Sequence, residues 1–401
     1  MDWIDAFMEA SGDIHSPAIF RLWVGISTVA GVLQRRCYTY TVANVEPLCP
    51  NLYILLVGEP STGKGNAITL AKQLWTRVKG LRLAPDNPTK ASFFERLDNA
   101  ERVFMNGSNE VEIFHSLAAP IPEFGVFIPR YDMEFISDLS HVFDNPPKYD
   151  KPRTSVRSFD IDKPNLNIVG GATPDFMNDL FPEAAWGQGF TSRFVFVFSA
   201  QVKFDYTDYF TKRIKTPLDS LVPALKSFYE LGGEFEWSKE AAEAHINWLE
   251  AGEPGAPEHS KLKSYLGRRK TVLPKLAMIS AVAAGHRLFV TLEDYTRAHS
   301  WLTEVEAVMP DVFRSMAQKS DSQLVHDLYE HVYREYAKQV VQLRVPIPDE
   351  FLWKFLRDRT PSSNIPKIIE TAERSGMIRR APGVSVSPRW IPRPLHEHAR
   401  V

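Results

Sequence analysis

One stretch constrains this chain more than any other. Leu52 to Val57 is an unbroken apolar run, and it passes directly into Gly58-Glu59-Pro60-Ser61-Thr62-Gly63-Lys64-Gly65. A helical segment, Asn66 to about Trp75, follows. A buried strand, a glycine-rich turn and a helix in that order are the context in which the pattern G-x4-G-K binds phosphate. The glycines let backbone N–H groups turn inward around phosphate oxygens, and the helix N-terminus adds favourable dipole charge. Lys64 then reaches the β- and γ-phosphates of a nucleotide, so Gly58 through Asn66 are the candidate nucleotide contacts. The residue after the lysine, usually a Ser or Thr whose hydroxyl reaches Mg²⁺, is Gly65. Asn66 or a water stands in for it, or the metal is held less tightly. The competing reading is an ordinary glycine-rich strand-to-helix turn.

Short apolar runs separated by helical segments continue to about Ala200, at Gly125–Pro129, Leu166–Gly170 and Phe194–Ser199. Strands alternating with helices predict an α/β layer with a largely parallel sheet. Such a nucleotide site needs a carboxylate at the end of a neighbouring strand. Gly125–Pro129 is the predicted strand, which makes Glu134 the candidate catalytic acid and Asp132, with Glu134, the candidate Mg²⁺ partner. The alternative is that both acids begin a solvated helix, where acids are favoured anyway. After the third strand, Thr173 or Asn167 is placed to sense the terminal phosphate, although Gly-Ala-Thr-Pro also reads as a turn with helix-cap chemistry. Arg193, between a glycine-rich turn and the strand Val195–Phe198, suits an arginine that reaches a neighbouring subunit's phosphate; a surface ion pair is the alternative.

Four segments are predicted: N-terminal helices over 1–46 with a strand at Tyr38–Val42, the α/β core over 47–215, a helical lid over 216–317 in which Thr291 and the acidic turn at Asp294 start a helix, and a terminal unit over 318–401. In the last, helices Glu350–Asp358 and Asn364–Ser375 and short strands Met377–Arg380 and Val384–Ser387 follow the order of a winged helix-turn-helix. Lys367 and Arg374 fall on or near its recognition helix, with Arg379, Arg380 and Arg389 beside the wing; Trp353 and Phe355 are assigned to core packing. A winged helix used for protein contacts is the alternative. The formal charge of −2 excludes a uniformly basic protein but hides a division. Phe351 to Val401 carry ten Lys and Arg against four Asp and Glu, and the other 350 residues carry 37 against 45. An acidic body with a basic terminal unit is compatible with DNA binding. Two cysteines, an acidic start without an apolar leader, and an apolar stretch Leu273–Val290 broken by Lys275, His286 and Arg287 predict a soluble protein of a reducing compartment, cytoplasmic and without a membrane span.

Taken together, GEPSTGKG after a strand, then DME, NIVGGATP, GFTSRF and KLAMISAV resemble the helicase-like P-loop ATPases of phages and prophages, over roughly residues 1–315. Ser192-Arg193-Phe194 is more distantly similar to the arginine-finger motif of minichromosome-maintenance and superfamily 3 helicases. The resemblance implies a P-loop NTPase core of AAA+ type with a helical lid. It also implies ATP and Mg²⁺ as cofactors, a ring of identical subunits (a hexamer), and Arg193 acting across the subunit boundary. It implies a second sensor arginine on the lid, Arg268 or Arg269, ahead of Lys275. A hairpin between the acidic motif and the third strand follows DNA in such rings, so Lys148, Lys151, Arg153 and Arg157 become channel candidates; a solvated surface loop is the plain alternative. The expected function is ATP-dependent helicase or translocase work on DNA in the replication of a phage or mobile element, in a bacterial host cytoplasm. The alternative is an ATP-switched initiator or helicase-recruiting adaptor with little unwinding, working with other replication proteins.

Overall fold

Tyr53–Val57 forms strand β2, and all five of its residues are buried. A strand apolar on both faces needs cover on both sides. The computed structural model describes residues 2–42, 46–85, 88–105, 111–128, 132–151, 159–181, 189–202, 218–339, 344–357, 359–360, 364–382 and 388–393. The chain divides into two compact units, Met1–Phe313 and Arg314–Val401, where the sequence predicts four segments.

The first unit begins with helices α1 (Trp3–Ala10) and α2 (Ala18–Leu33) and the short strand β1 (Cys37–Tyr38). After β2 come α3 (Lys64–Thr76), α4 (Lys90–Asp98), β3 (Glu101–Met105), β4 (Val111–Ile121), α5 (Phe124–Phe127) and α6 (Met133–Phe143). The hairpin β5 (Lys148–Lys151) and β6 (Phe159–Asp162) leads to β7 (Pro164–Ala172), α7 (Pro174–Leu180) and β8 (Phe194–Phe198). Then follow α8 (Val222–Tyr229), β9 (Gly233–Glu234), β10 (Glu236–Trp237), α9 (Lys239–Glu250), α10 (Lys263–Leu266), α11 (Arg269–Ala284) and β11 (Phe289–Val290). Helix α12 (Leu292–Ala337) contributes its first part to this unit.

The central sheet has the order β3-β4-β7-β2-β8. β2 runs parallel to β7 and to β8, β4 runs parallel to β7, and only the edge strand β3 is antiparallel. The fold is therefore α/β with a mixed, mainly parallel sheet. Tyr53 stands in register with Ile168, and its hydroxyl donates to Leu139 of α6 at 2.9 Å. The preceding residue on β7, Asn167, donates instead to Ser27 of α2. Successive residues of a strand face opposite sides, so α2 covers one face of the sheet and α6 the other. Twelve of the sixteen α2 residues are buried, the mark of an interior helix. Gly31 lets Trp75 of α3 lie against it; a Cβ there would stand 2.7 Å from the indole.

Two expected strands of this unit are corrected by the observed pairing. Gly125–Pro129 is predicted as a strand, but Phe124–Phe127 forms a helical turn and Pro129 lies outside the described residues. The strand at that place in the fold is β4, over residues that carry Pro120. Proline argues against a sheet interior because it cannot donate to the ladder. β3 pairs with β4 only from Val111 to His115, so Pro120 has a full strand neighbour on one side alone. The predicted strand Tyr38–Val42 shrinks to β1, paired with β9, and a single bridge from Thr39 to Leu48. The predicted start of α12 holds: Thr291 N–H donates to the Asp294 carboxylate at 2.9 Å, and Asp294 N–H donates to the Thr291 hydroxyl.

In the second unit, the remainder of α12 is followed by β12 (Ile347–Pro348), α13 (Asp349–Arg357), α14 (Ile365–Arg374), β13 (Ile378–Arg380) and β14 (Arg389–Pro392). The strands form an antiparallel sheet in the order β12-β14-β13. Its core joins Leu328 and Val332 of α12 with Leu352, Leu356, Ile365, Ile368 and Trp390. The predicted strand Val384–Ser387 falls almost wholly outside the described residues, and the strand that pairs with β13 is β14. Among the described residues, no helix is long and apolar enough to cross a membrane.

Candidate functional site

The C-terminal ends of β2, β4, β7 and β8 lie along one edge of the sheet, which is where open α/β sheets bind ligands. The turn Gly58–Gly63 leaves β2 there, and Lys64 opens α3. Ser61 has φ +66° and Gly63 has φ +78°. Left-handed residues interleaved in such a turn point consecutive N–H groups into one concavity, a nest suited to an anion. Gly63 is required on a second count: a Cβ there would fall 1.9 Å from the His15 carbonyl oxygen. The segment before α2 is thus clamped to the turn, and Asn66 reinforces it by donating to the same His15 oxygen at 3.4 Å. The Lys64 ammonium stands over the turn, donating to the oxygens of Gly58 (2.8 Å), Glu59 (2.7 Å) and Thr62 (Oγ1, 3.1 Å). The Thr62 hydroxyl is buried and donates to Glu59 O, so it serves the turn itself.

A cleft of about 910 Å³ opens in front of this turn. Its walls include Pro60, Ser61, Gly63 to Asn66, Glu123, Thr173 and, from the N-terminal segment, His15. Glu123 is the one carboxylate among the described residues of the lining. It follows β4 after Pro122, is exposed, and precedes the turn α5. Close packing fixes its place relative to Lys64: a Cβ on Gly171, at the end of β7, would lie 2.6 Å from Pro122 O and 3.4 Å from Lys64 Cβ. Neither Glu123 nor His15 is among the residues the sequence singles out. The signal for Glu123 was an apolar run, Phe114–Ile121, ending in Pro122-Glu123.

The acids predicted in its stead do other things. Asp132 caps α6, its carboxylate accepting from Phe135 N–H at 2.9 Å. Glu134, in the first turn of α6, pairs with Lys90 at 2.7 Å and lies outside the lining of the cleft. Both belong to the helix start. Thr173 does line the cleft, and its hydroxyl also accepts from Phe176 N–H as the cap of α7. Asn167 is buried and spent on Leu52 N–H and Ser27.

The arginines gather at the opposite edge of the sheet. Arg193 precedes β8 and so stands level with Leu52, where β2 begins. Its guanidinium pairs with Asp144, just past α6, and donates to Gly189 O at 2.7 Å. Arg268 donates to the other oxygen of the same Asp144 at 2.8 Å. Arg268 therefore shares a carboxylate with Arg193 and is not beside the glycine turn of its own chain. Arg269 is corrected outright: it is 1% exposed and bonded to Glu306, Glu253 O and Pro254 O, with its guanidinium 5.0 Å from the Trp248 ring. Four of its five N–H donors are spent on these partners inside the protein, away from solvent. Lys275 is buried at the same edge, donating to Asn51 O (2.9 Å) and Asn51 Oδ1 (2.8 Å), and burial pushes its ammonium down to about 7 despite the nearby Cys49 and Asp144.

Of the channel candidates, Lys148 begins the hairpin β5–β6, whose register pairs Lys148 with Asp162 and Tyr149 with Ile161. Tyr149 stacks on Phe94 of α4, ring centroids 5.0 Å apart, which anchors the hairpin base. Lys148 pairs with Asp160 at 2.7 Å, and that bond holds its ammonium above the usual lysine range. The Lys151 side chain, Arg153 and Arg157 lie outside the described residues. In the second unit, Lys367 pairs with Asp321 (2.6 Å), Arg374 with Glu370 (2.6 Å) and Arg380 with Glu373 (3.1 Å), whereas Arg379 is exposed.

No protein-family model and no curated protein matches this sequence.

Proposed function

We propose that this chain is an ATP-dependent motor on DNA, a helicase or translocase of phage or mobile-element replication that works as a ring of identical copies. The observation that carries the reading is the convergence at one sheet edge of the Gly58–Gly63 turn, Lys64 and Glu123 around a cleft of nucleotide size. The N–H groups of the turn and the start of α3 would hold the polyphosphate, with Lys64 neutralising its charge. Glu123 would orient the attacking water. Mg²⁺, when bound, shields the phosphate charge; Glu123 fits as its carboxylate partner and Gly65 contributes no oxygen from its side chain. Arg193 would act on the phosphate of a neighbouring copy, and the β5–β6 hairpin, carrying Arg153 and Arg157 beyond its described base, would follow the DNA backbone. The order helix, strand, two helices and two strands in the second unit, with sheet order β12-β14-β13, supports the winged-helix reading.

DNA-stimulated ATP hydrolysis tests the reading: turnover rises with DNA and is abolished by Lys64→Ala. Turnover that survives Lys64→Ala contradicts it. One observation favours a second reading, an ATP-switched initiator or adaptor: the missing hydroxyl at Gly65. Slow, DNA-insensitive turnover with ATP-dependent assembly selects that one.

Gly65 also offers a gain-of-function test. A Cβ at Gly65 meets nothing within 4 Å, so packing does not demand glycine there. Gly65→Ser folds normally and supplies the hydroxyl. The expected result is a fall of about tenfold in the Mg²⁺ concentration for half-maximal turnover, the worth of roughly 1.4 kcal/mol of added coordination. An unchanged Mg²⁺ dependence in the folded variant removes the metal from the neighbourhood of Gly65.

A further inference from the structure

Arginine is almost never fully buried unless it is paired. Two arginines at the far end of α3 from the glycine turn depart from that rule. Arg36, between α2 and β1, is 7% exposed, and its guanidinium makes one hydrogen bond among the described residues, to Val32 O at 3.1 Å. Arg102 of β3 donates to Gly80 O at 2.9 Å. Both guanidinium groups stand over the ring of Tyr229, at the end of α8, 4.4 Å and 4.9 Å from its centroid. The Nε of each arginine and the hydroxyl of Tyr229 are buried without a hydrogen-bond partner among the described residues. Gly80, at φ +95°, brings the backbone close to them: a Cβ there would lie 2.9 Å from the Tyr229 hydroxyl and 3.0 Å from Arg102 Nη1. Burial pushes both arginines below their usual range, and the charges of Arg36 and Arg82 push Arg102 down further. Glu230 is an acid whose charge acts on both, and it bonds to neither.

A cleft of about 380 Å³ opens beside Tyr229, with Lys79, Lys226 and Glu230 in its walls. Lys79, Arg82 and Lys226 are exposed and make no ion pair among the described residues. Two lysines near the C-terminal ends of helices are ordinary, since the helix dipole favours cations there. The buried pair has no such reason. Cationic donors left unmet away from water are costly, and an anion held among these cations offsets that cost. We propose that this cleft is a second anion site, in which Lys79 and Lys226 take the phosphate group of a small molecule and the charges of Arg36, Arg82 and Arg102 hold it there. The thirteen residues of α3 keep it about 20 Å from the glycine turn. The inference stands independently of the nucleotide reading.

The test is calorimetric titration of the full chain with inorganic pyrophosphate. The wild-type chain binds two equivalents, one at the glycine turn and one in this cleft, and Lys64→Ala keeps the second. A single equivalent in the wild type that survives Lys64→Ala removes the nucleotide reading and leaves this site standing. In the Lys64→Ala background, Lys79→Glu and Lys226→Glu each weaken the remaining binding by about tenfold or more, the loss of one hydrogen bond to a charged group. Arg36→Met abolishes it. Both lysines are exposed, so their variants keep the test decisive if Arg36→Met fails to fold. No pyrophosphate bound by Lys64→Ala, or binding indifferent to Lys79→Glu and Lys226→Glu, overturns the proposal. So does a loss of affinity for an oligothymidine in the two lysine variants with pyrophosphate binding unchanged, which would give the cleft to a nucleic-acid backbone.

Discussion

Replacing Arg193 with Ala lowers ATP turnover by about a thousandfold while ATP affinity is preserved. Mixing that variant with Lys64→Ala subunits restores part of the activity that each lacks alone. The expectation follows from the sheet. β8 runs parallel to β2 with Phe194 opposite Tyr53, so Arg193 and the glycine turn lie at opposite ends of the strands. Five residues of strand separate them, about 17 Å at the usual rise. No rotamer of one arginine spans that distance and still reaches a phosphate at the turn. Any contribution of Arg193 to catalysis therefore goes to another copy, and a subunit with an intact turn can be served by one with an intact arginine. Loss of ATP affinity in Arg193→Ala, or mixtures no more active than their parts, would assign Arg193 a structural role through its Asp144 pair.

The sequence makes the glycine turn legible because strand, turn and helix are contiguous and their chemistry is local. The same holds for Thr173 as a helix cap and for the box that starts α12. What escapes is whatever depends on pairing at a distance. β4 is hidden by Pro120 and by its mixed character, solvated at Val111 and buried from Phe114 onward; its pairing with β3 and β7 makes it a sheet element. Losing β4 moves the candidate acid from Glu123 to Glu134, eleven residues downstream, onto a helix start that satisfies the same local pattern. Arg269 misleads in the same manner. The resemblance offers this arginine ahead of a lid helix as a nucleotide sensor, yet Glu306 lies on α12, and nothing local reveals that the two meet in the interior. Trp353, assigned to core packing, errs in the opposite direction: it is 39% exposed, although an aromatic on an amphipathic helix is ordinarily turned inward.

The placement of the catalytic acid is where these readings part most sharply. Glu123 lines the cleft with Lys64, whereas Glu134 is paired with Lys90 and lies outside that lining. Removing a group that positions the attacking water costs turnover by roughly a hundredfold or more and leaves substrate binding in place. The decisive comparison is single-turnover ATP hydrolysis by Glu123→Gln and Glu134→Gln, each with its ATP affinity measured. The account predicts that Glu123→Gln binds ATP and scarcely hydrolyses it, while Glu134→Gln hydrolyses at close to the wild-type rate. Wild-type hydrolysis in Glu123→Gln with collapse in Glu134→Gln would contradict it.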